Sequence, residues 1–103
     1  MLNYNLKTVV LSESRPLDKE KVDAWIHDLF VSDDIKVLSS KGIFNFIYCD
    51  YIYEFESNSK TFNSKADQYW QNDDDRKSVV ILIGENLDNE IKYHKDFSKC
   101  IAN

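Results

Sequence analysis

A chain of 103 residues holds one domain, and its formal net charge of −5 excludes the basic footprint by which proteins neutralise nucleic-acid phosphates. Six Phe, six Tyr and two Trp supply core material, each large side chain contributing about 1.5–3 kcal/mol on burial. No apolar run is long enough to span a bilayer and the amino terminus lacks the order of a secretory signal, so a cytoplasmic location without membrane contact is expected. In that reducing setting Cys49 and Cys100 read as free thiols.

Residues 1–103 read as a single unit, since one proline and two glycines leave no room for a flexible linker. Leu6 to Leu11 contains the β-branched run Thr8, Val9 and Val10, which predicts a strand. From Asp18 the period changes. Val22, Trp25, Ile26, Leu29 and Phe30 recur at helical spacing, Asp18 is placed to cap the helix, and Leu17 to pack on Val22 as a hydrophobic staple.

Residues 35–56 predict a meander of three strands, broken at Lys41-Gly42 and Cys49-Asp50. Two-residue hairpins at both breaks set Ser40 opposite Ile43 and Tyr48 opposite Tyr51. Ile35, Val37, Phe44, Phe46, Tyr48, Tyr51, Tyr53 and Phe55 then share a core face. Lys36, Leu38, Ser40, Ile43, Asn45, Ile47, Ile52, Glu54 and Glu56 share the outward one.

Lys60 to Ser64 is a further short strand if it pairs, and Gln71 to Asp75 a polar turn. Val79 to Ile83 is apolar on both alternations, as in a central strand, and ends at Gly84. Asp88 is placed to cap a last helix with Leu87, Ile91, His94, Phe97 and Ile101 on one side. The expected fold is α+β: a mainly antiparallel sheet of four to six strands with two helices on one face, in the order β-α-β-β-β-(β)-β-α.

Catalytic motifs are missing from this pattern. Gly42 and Gly84 are far apart and neither opens a phosphate-cradling loop, so the chain is not expected to bind GTP by itself. Cys49, Cys100, His27 and His94 are isolated, without the close pairs of a zinc site; His94 reads as a packed histidine and His27 as a solvated one. Asp73, Asp74 and Asp75 lack the glycine and distal Glu of a calcium loop and read as a solvated turn. No catalytic, cofactor-binding or metal-ligating residue is assigned.

The local motifs form an ordered set. Arg15-Pro16-Leu17-Asp18 opens the first helix, and Val37-Leu38-Ser39-Ser40-Lys41-Gly42 leads into the meander. Trp70 precedes Asp75-Arg76-Lys77-Ser78, and Ile83-Gly84-Glu85-Asn86-Leu87-Asp88 precedes the last helix, with Cys100 near its end. From about Thr8 to Ile101 this succession resembles the C-terminal domain of the CobW-type GTPases, P-loop proteins of the metallochaperone kind. Ser39 and Leu17 depart from it, where many members have Arg and Phe.

The resemblance implies a non-catalytic domain serving a P-loop GTPase domain in the same or a separate chain. GTP, Mg and a transition metal such as zinc or cobalt belong to that parent and none to this chain. A metalloprotein client and a second copy are further candidate partners. Of the motif residues, Arg15, Pro16, Lys41, Gly42, Trp70, Arg76, Gly84 and Asp88 are expected to be structural, with Arg15 near Asp18 and Arg76 near Asp74 and Asp75. Leu38, Ile43, Ile47 and Ile52 are the expected docking stripe, bordered by Lys36, Glu54 and Glu56. The alternative is a small-ligand sensor with a pocket under the aromatic face; an enzyme built from scattered residues ranks third.

Overall fold

The β-branched runs and the helical apolar period become seven elements in the computed structural model, which describes residues 6–33, 35–58 and 61–103, the side chain of Asp67 excepted. In chain order these are β1 (Leu6–Glu13), α1 (Lys19–Val31), β2 (Lys36–Phe44), β3 (Tyr51–Asn58), β4 (Phe62–Tyr69), β5 (Ser78–Glu85) and α2 (Glu90–Ser98). The strands form one antiparallel sheet in the order β1-β5-β2-β3-β4. The fold is α+β, with both helices on the same face.

α1 begins where its sequence says it should. The Asp18 carboxylate accepts from the Glu20 and Lys21 N–H groups at 2.9 and 3.2 Å, satisfying two donors the first turn leaves without partners. Leu17 and Val22 are both fully buried, and Trp25, Ile26 and Leu29 complete the inner stripe. Phe30 does not join it: at 40% exposed it sits on the flank, edge-on to Phe62 at 6.3 Å.

The expected hairpin at Lys41-Gly42 does not exist. A two-residue hairpin loop needs positive φ, and among the described residues only Tyr48 and Asn86 have it. β2 instead runs through both residues and pairs with β5 on one side and β3 on the other. Gly42 is there for close approach: a Cβ would lie 2.2 Å from the Val79 carbonyl oxygen. Ser40 consequently faces Ser57 and Leu82, not Ile43, and is buried with its hydroxyl on that of Ser57. Residues 45–50 are connection, not strand. The short strand expected from Lys60 is the eight-residue β4; Lys60 itself lies outside the described residues.

α2 is turned relative to expectation. Its cap is Asn89, which accepts from Lys92 N–H at 3.2 Å, one residue after Asp88. Tyr93 and Phe97 are buried, whereas Ile91 is 83% exposed and His94 is exposed. Leu87 set the expected phase, but it precedes the helix and is bound by no helical period.

Core residues come from both layers: Val9, Leu11, Val80, Leu82, Val37, Phe44 and Phe55 from the sheet, with the two helical stripes above them. Phe44 stacks on Phe55 at 4.8 Å and on Phe46 at 5.2 Å, Phe46 meets Tyr53 at 5.3 Å, and Trp25 meets Phe97 at 5.0 Å. The aromatic face thus fills itself. Tyr48, at 99%, and Tyr51, at 38%, are exposed members of that expected face.

Candidate functional site

Strand alternation decides what the second sheet face presents. Because Val9, Leu11, Val80 and Leu82 point into the core, their neighbours Val10, Val79, Ile81 and Ile83 point away from it. Register places Val10 beside Ile81, Ile81 beside Lys41, and Val79 beside Ile43. Val10 is 53% and Ile83 40% exposed; Val79, Ile81 and Ile43 are half-buried. Lys41, Glu54, Glu56 and Lys65 border a shallow trough of about 760 Å³ floored by Ile43, Val79 and Ile81.

Of the four stripe residues expected from the sequence, Ile43 lies in this trough. Ile52 precedes Glu54 by two on the same face of β3 and is half-buried. Leu38 is the residue skipped by a bulge between Val37 and Ser39, and Ile47 lies in the connection, donating its N–H to the Leu17 carbonyl at 2.8 Å. Val10, Val79, Ile81 and Ile83 were missed. The signal was present in the double apolar alternation of Val79 to Ile83, read there as burial on both faces.

The Arg15-Pro16-Leu17-Asp18 segment is a backbone hub. Leu17 N–H donates to the Asn45 carbonyl at 2.9 Å, Asp18 N–H to the Cys100 carbonyl at 2.8 Å, and Ala102 N–H to the Pro16 carbonyl at 3.0 Å. It therefore ties the segment before β3 and the end of the chain to the start of α1. Arg15 pairs with Glu13 and not Asp18: Nε and one terminal nitrogen donate to the two carboxylate oxygens at 3.0 and 2.9 Å. The guanidinium is 63% exposed and the carboxylate only 8%. Arg15, through its side-chain hydrogen bond first, holds the Glu13 carboxyl below the usual range against the opposing effect of burial.

Arg76 pairs with Asp50 at 3.4 Å rather than with Asp74 or Asp75, and its guanidinium lies 6.0 Å from the Trp70 ring centroid. Trp70 N–H donates to the Asp50 carbonyl at 2.9 Å, so Arg76, Trp70 and Asp50 brace one end of β3 and β4. Ser78, fully buried, accepts from Asn45 N–H at 2.8 Å. Lys41 and Gly42 lie in mid-strand, and Gly84 in β5 faces Val37.

A second concavity, of about 630 Å³, lies between the helices, with Trp25, Leu29, Tyr93 and Cys100 in its lining and Asp28, Asp88 and Asn89 around them. Desolvation pushes the Cys100 thiol up to about 11, which keeps it protonated and a poor metal ligand. Among the described residues, no group of three or more His, Cys, Asp or Glu is placed to hold a metal ion. The described residues therefore do not fit a transition-metal ion. No helix among them is long and apolar enough to cross a membrane.

Residues 6–101 match the family described as the cobalamin synthesis protein cobW C-terminal domain. No curated protein sequence matches significantly. Among solved structures, zinc-bound YjiA GTPase from E. coli and a zinc-bound triple mutant of YjiA GTPase each match with a TM-score of 0.84 at 20% identity. Each match covers 95% of this chain but 30% of the other, so the chain spans less than a third of those GTPases and shares the fold of that part.

Proposed function

Because the chain belongs to the family of cobW C-terminal domains, we propose that it is the accessory domain of a GTP-dependent metal-handling protein, and that it docks on the P-loop GTPase domain. The observation that carries this reading is the apolar row Val10, Ile43, Val79, Ile81 and Ile83 on the sheet face opposite the helices. An apolar strip rimmed by Lys41, Lys65, Glu54 and Glu56 has the anatomy of an interface core within a polar border. GTP, Mg and the transition metal would be held by the GTPase domain. This domain would arrange or regulate it without chemistry of its own.

The test is titration of the chain with a P-loop GTPase domain of the CobW type. Ile81→Ser together with Ile83→Ser should weaken association about tenfold or more while leaving the helical circular dichroism intact. Unchanged affinity would remove the docking role. The interhelical concavity supports a second reading, a small-ligand sensor, because its volume falls in the range of small-molecule sites. That pocket lies between the helices and not under the aromatic face.

A further inference from the structure

Where β3 begins and β4 ends, the sheet carries aromatic side chains that the core does not use. Tyr48 is 99% exposed and has a φ of 62°. It occupies the third position of a turn closed by Cys49 N–H donating to the Phe46 carbonyl at 3.3 Å. With negative φ before it, this is the type II position that glycine normally fills, because an L side chain is strained there. Folding gains almost nothing from the ring, since it stays in water. The Tyr48 ring is thus free to meet a group outside the chain.

Two more exposed tyrosines stand at the start of β3 and the end of β4. Tyr51 and Tyr69 are cross-strand partners, their rings stacked at 4.3 Å and their hydroxyls 2.8 Å apart, with 38% and 57% exposure. In the chain between Tyr48 and this pair, the Cys49 thiol donates to the Tyr51 carbonyl at 3.8 Å. Next in sequence to Tyr69, Trp70 is only 8% exposed, and its indole Nε1 has no hydrogen-bond partner among the described residues.

Charge sets what such a surface accepts. Asp50, Asp73, Asp74 and Asp75 are exposed here against Arg76 and Lys77. Both cations are already engaged, Arg76 by Asp50 at 3.4 Å and Lys77 by Asp75 at 4.0 Å. The remaining field is acidic, and tyrosine faces attract ammonium and guanidinium groups. We propose that this tyrosine end is a docking site for a basic segment of a partner protein, with Lys and Arg side chains laid across Tyr48, Tyr51 and Tyr69 and neutralised by the aspartates. It is a second surface, separate from the open sheet face, so its failure leaves that docking reading intact.

The test uses the ¹⁵N-labelled chain in about 150 mM salt, where diffuse attraction is screened beyond about 8 Å. It is titrated with a short peptide alternating Arg and Gly, and with the same peptide carrying Glu for Arg. The basic peptide should shift amides confined to residues 48–51 and 69–77, and the acidic one none. Tyr48→Gly should weaken the basic peptide about tenfold while raising the melting temperature by about 4 °C, because it relieves the strained φ. Three results would overturn the proposal: no binding at millimolar peptide, shifts spread over the whole acidic surface and unchanged by Tyr48→Gly, or self-association through these residues without peptide. The last would make a second copy the occupant.

Discussion

The Glu13 pair illustrates how an exposed residue, Arg15, acquires a structural role. The Glu13 carboxylate is buried at the end of β1 opposite Ser78, and a buried anion is tolerated only when hydrogen-bonded. Arg15 supplies two side-chain donors and its own N–H at 3.0 Å. Exposure of the guanidinium alone would mark the pair as weak, but the partner left behind decides the cost. The folded-state pKa of Glu13 is lowered, so the stabilisation is present above the ordinary value of 4.5 and lost as pH falls through the lowered one. Arg15→Ala should therefore melt lower than the parent chain at neutral pH, and the gap should close on acidification below 4.5. Thermal melts of both chains against pH measure this. A gap independent of pH would place the role of Arg15 elsewhere than on Glu13.

Among the elements, β2 and β5 depend on two glycines for their approach. Gly84 pairs with Val37, and a Cβ on it would lie 2.1 Å from the Lys36 carbonyl oxygen and 3.0 Å from the Val37 Cα. Backbone atoms cannot step aside as a flexible side chain can. Gly84→Ala should consequently destabilise by about 1–3 kcal/mol, the cost of overpacking a tight site. Urea melts with an unchanged slope would measure it, and a loss below about 0.5 kcal/mol would mean the strands part freely there.

The same two strands show why the sequence was legible only in part. Val37 and Phe44 are seven apart, so a straight strand would put them on opposite faces. Both are buried, and one position must drop out of phase between them. A hairpin at Lys41-Gly42 achieves that, and so does the bulge at Leu38 that the chain uses, so periodicity alone could not choose. Ser40 fell on the wrong face as a result. The cap and inner stripe of α1 were readable because they depend on neighbours three or four residues away. The Leu17 hub and the bond from Asn45 to Ser78 join distant segments, and no local pattern encodes them. The open-face row was half legible: Ile43 stood out within its strand, while its companions came from strands adjacent only after folding.

Over the whole molecule, burial declines from the helix-covered strands toward β4. β5 has a neighbour on each side and Ser78, Val80, Leu82 and Gly84 buried along its length, whereas β4 is an edge strand whose described side chains are all exposed. An open edge of this kind invites pairing with other chains. Here a register shift between Ala66 and Gln68 interrupts the ladder, and Lys65 puts a charge on it. Opening β4 exposes little apolar surface, so it should cost far less than global unfolding, while β5 cannot open without dissolving the core. At its far end β4 is pinned by the Tyr51–Tyr69 stack and by Trp70 N–H on the Asp50 carbonyl. Native-state hydrogen exchange should therefore show the amides of residues 79–83 exchanging only through global unfolding. Those of residues 63–66 should be about a hundredfold or more less protected, with protection rising again toward Tyr69 and Trp70. Equal protection across the two strands would mean that the sheet opens as one cooperative unit, and that the edge is held by contacts beyond those of its single neighbouring strand.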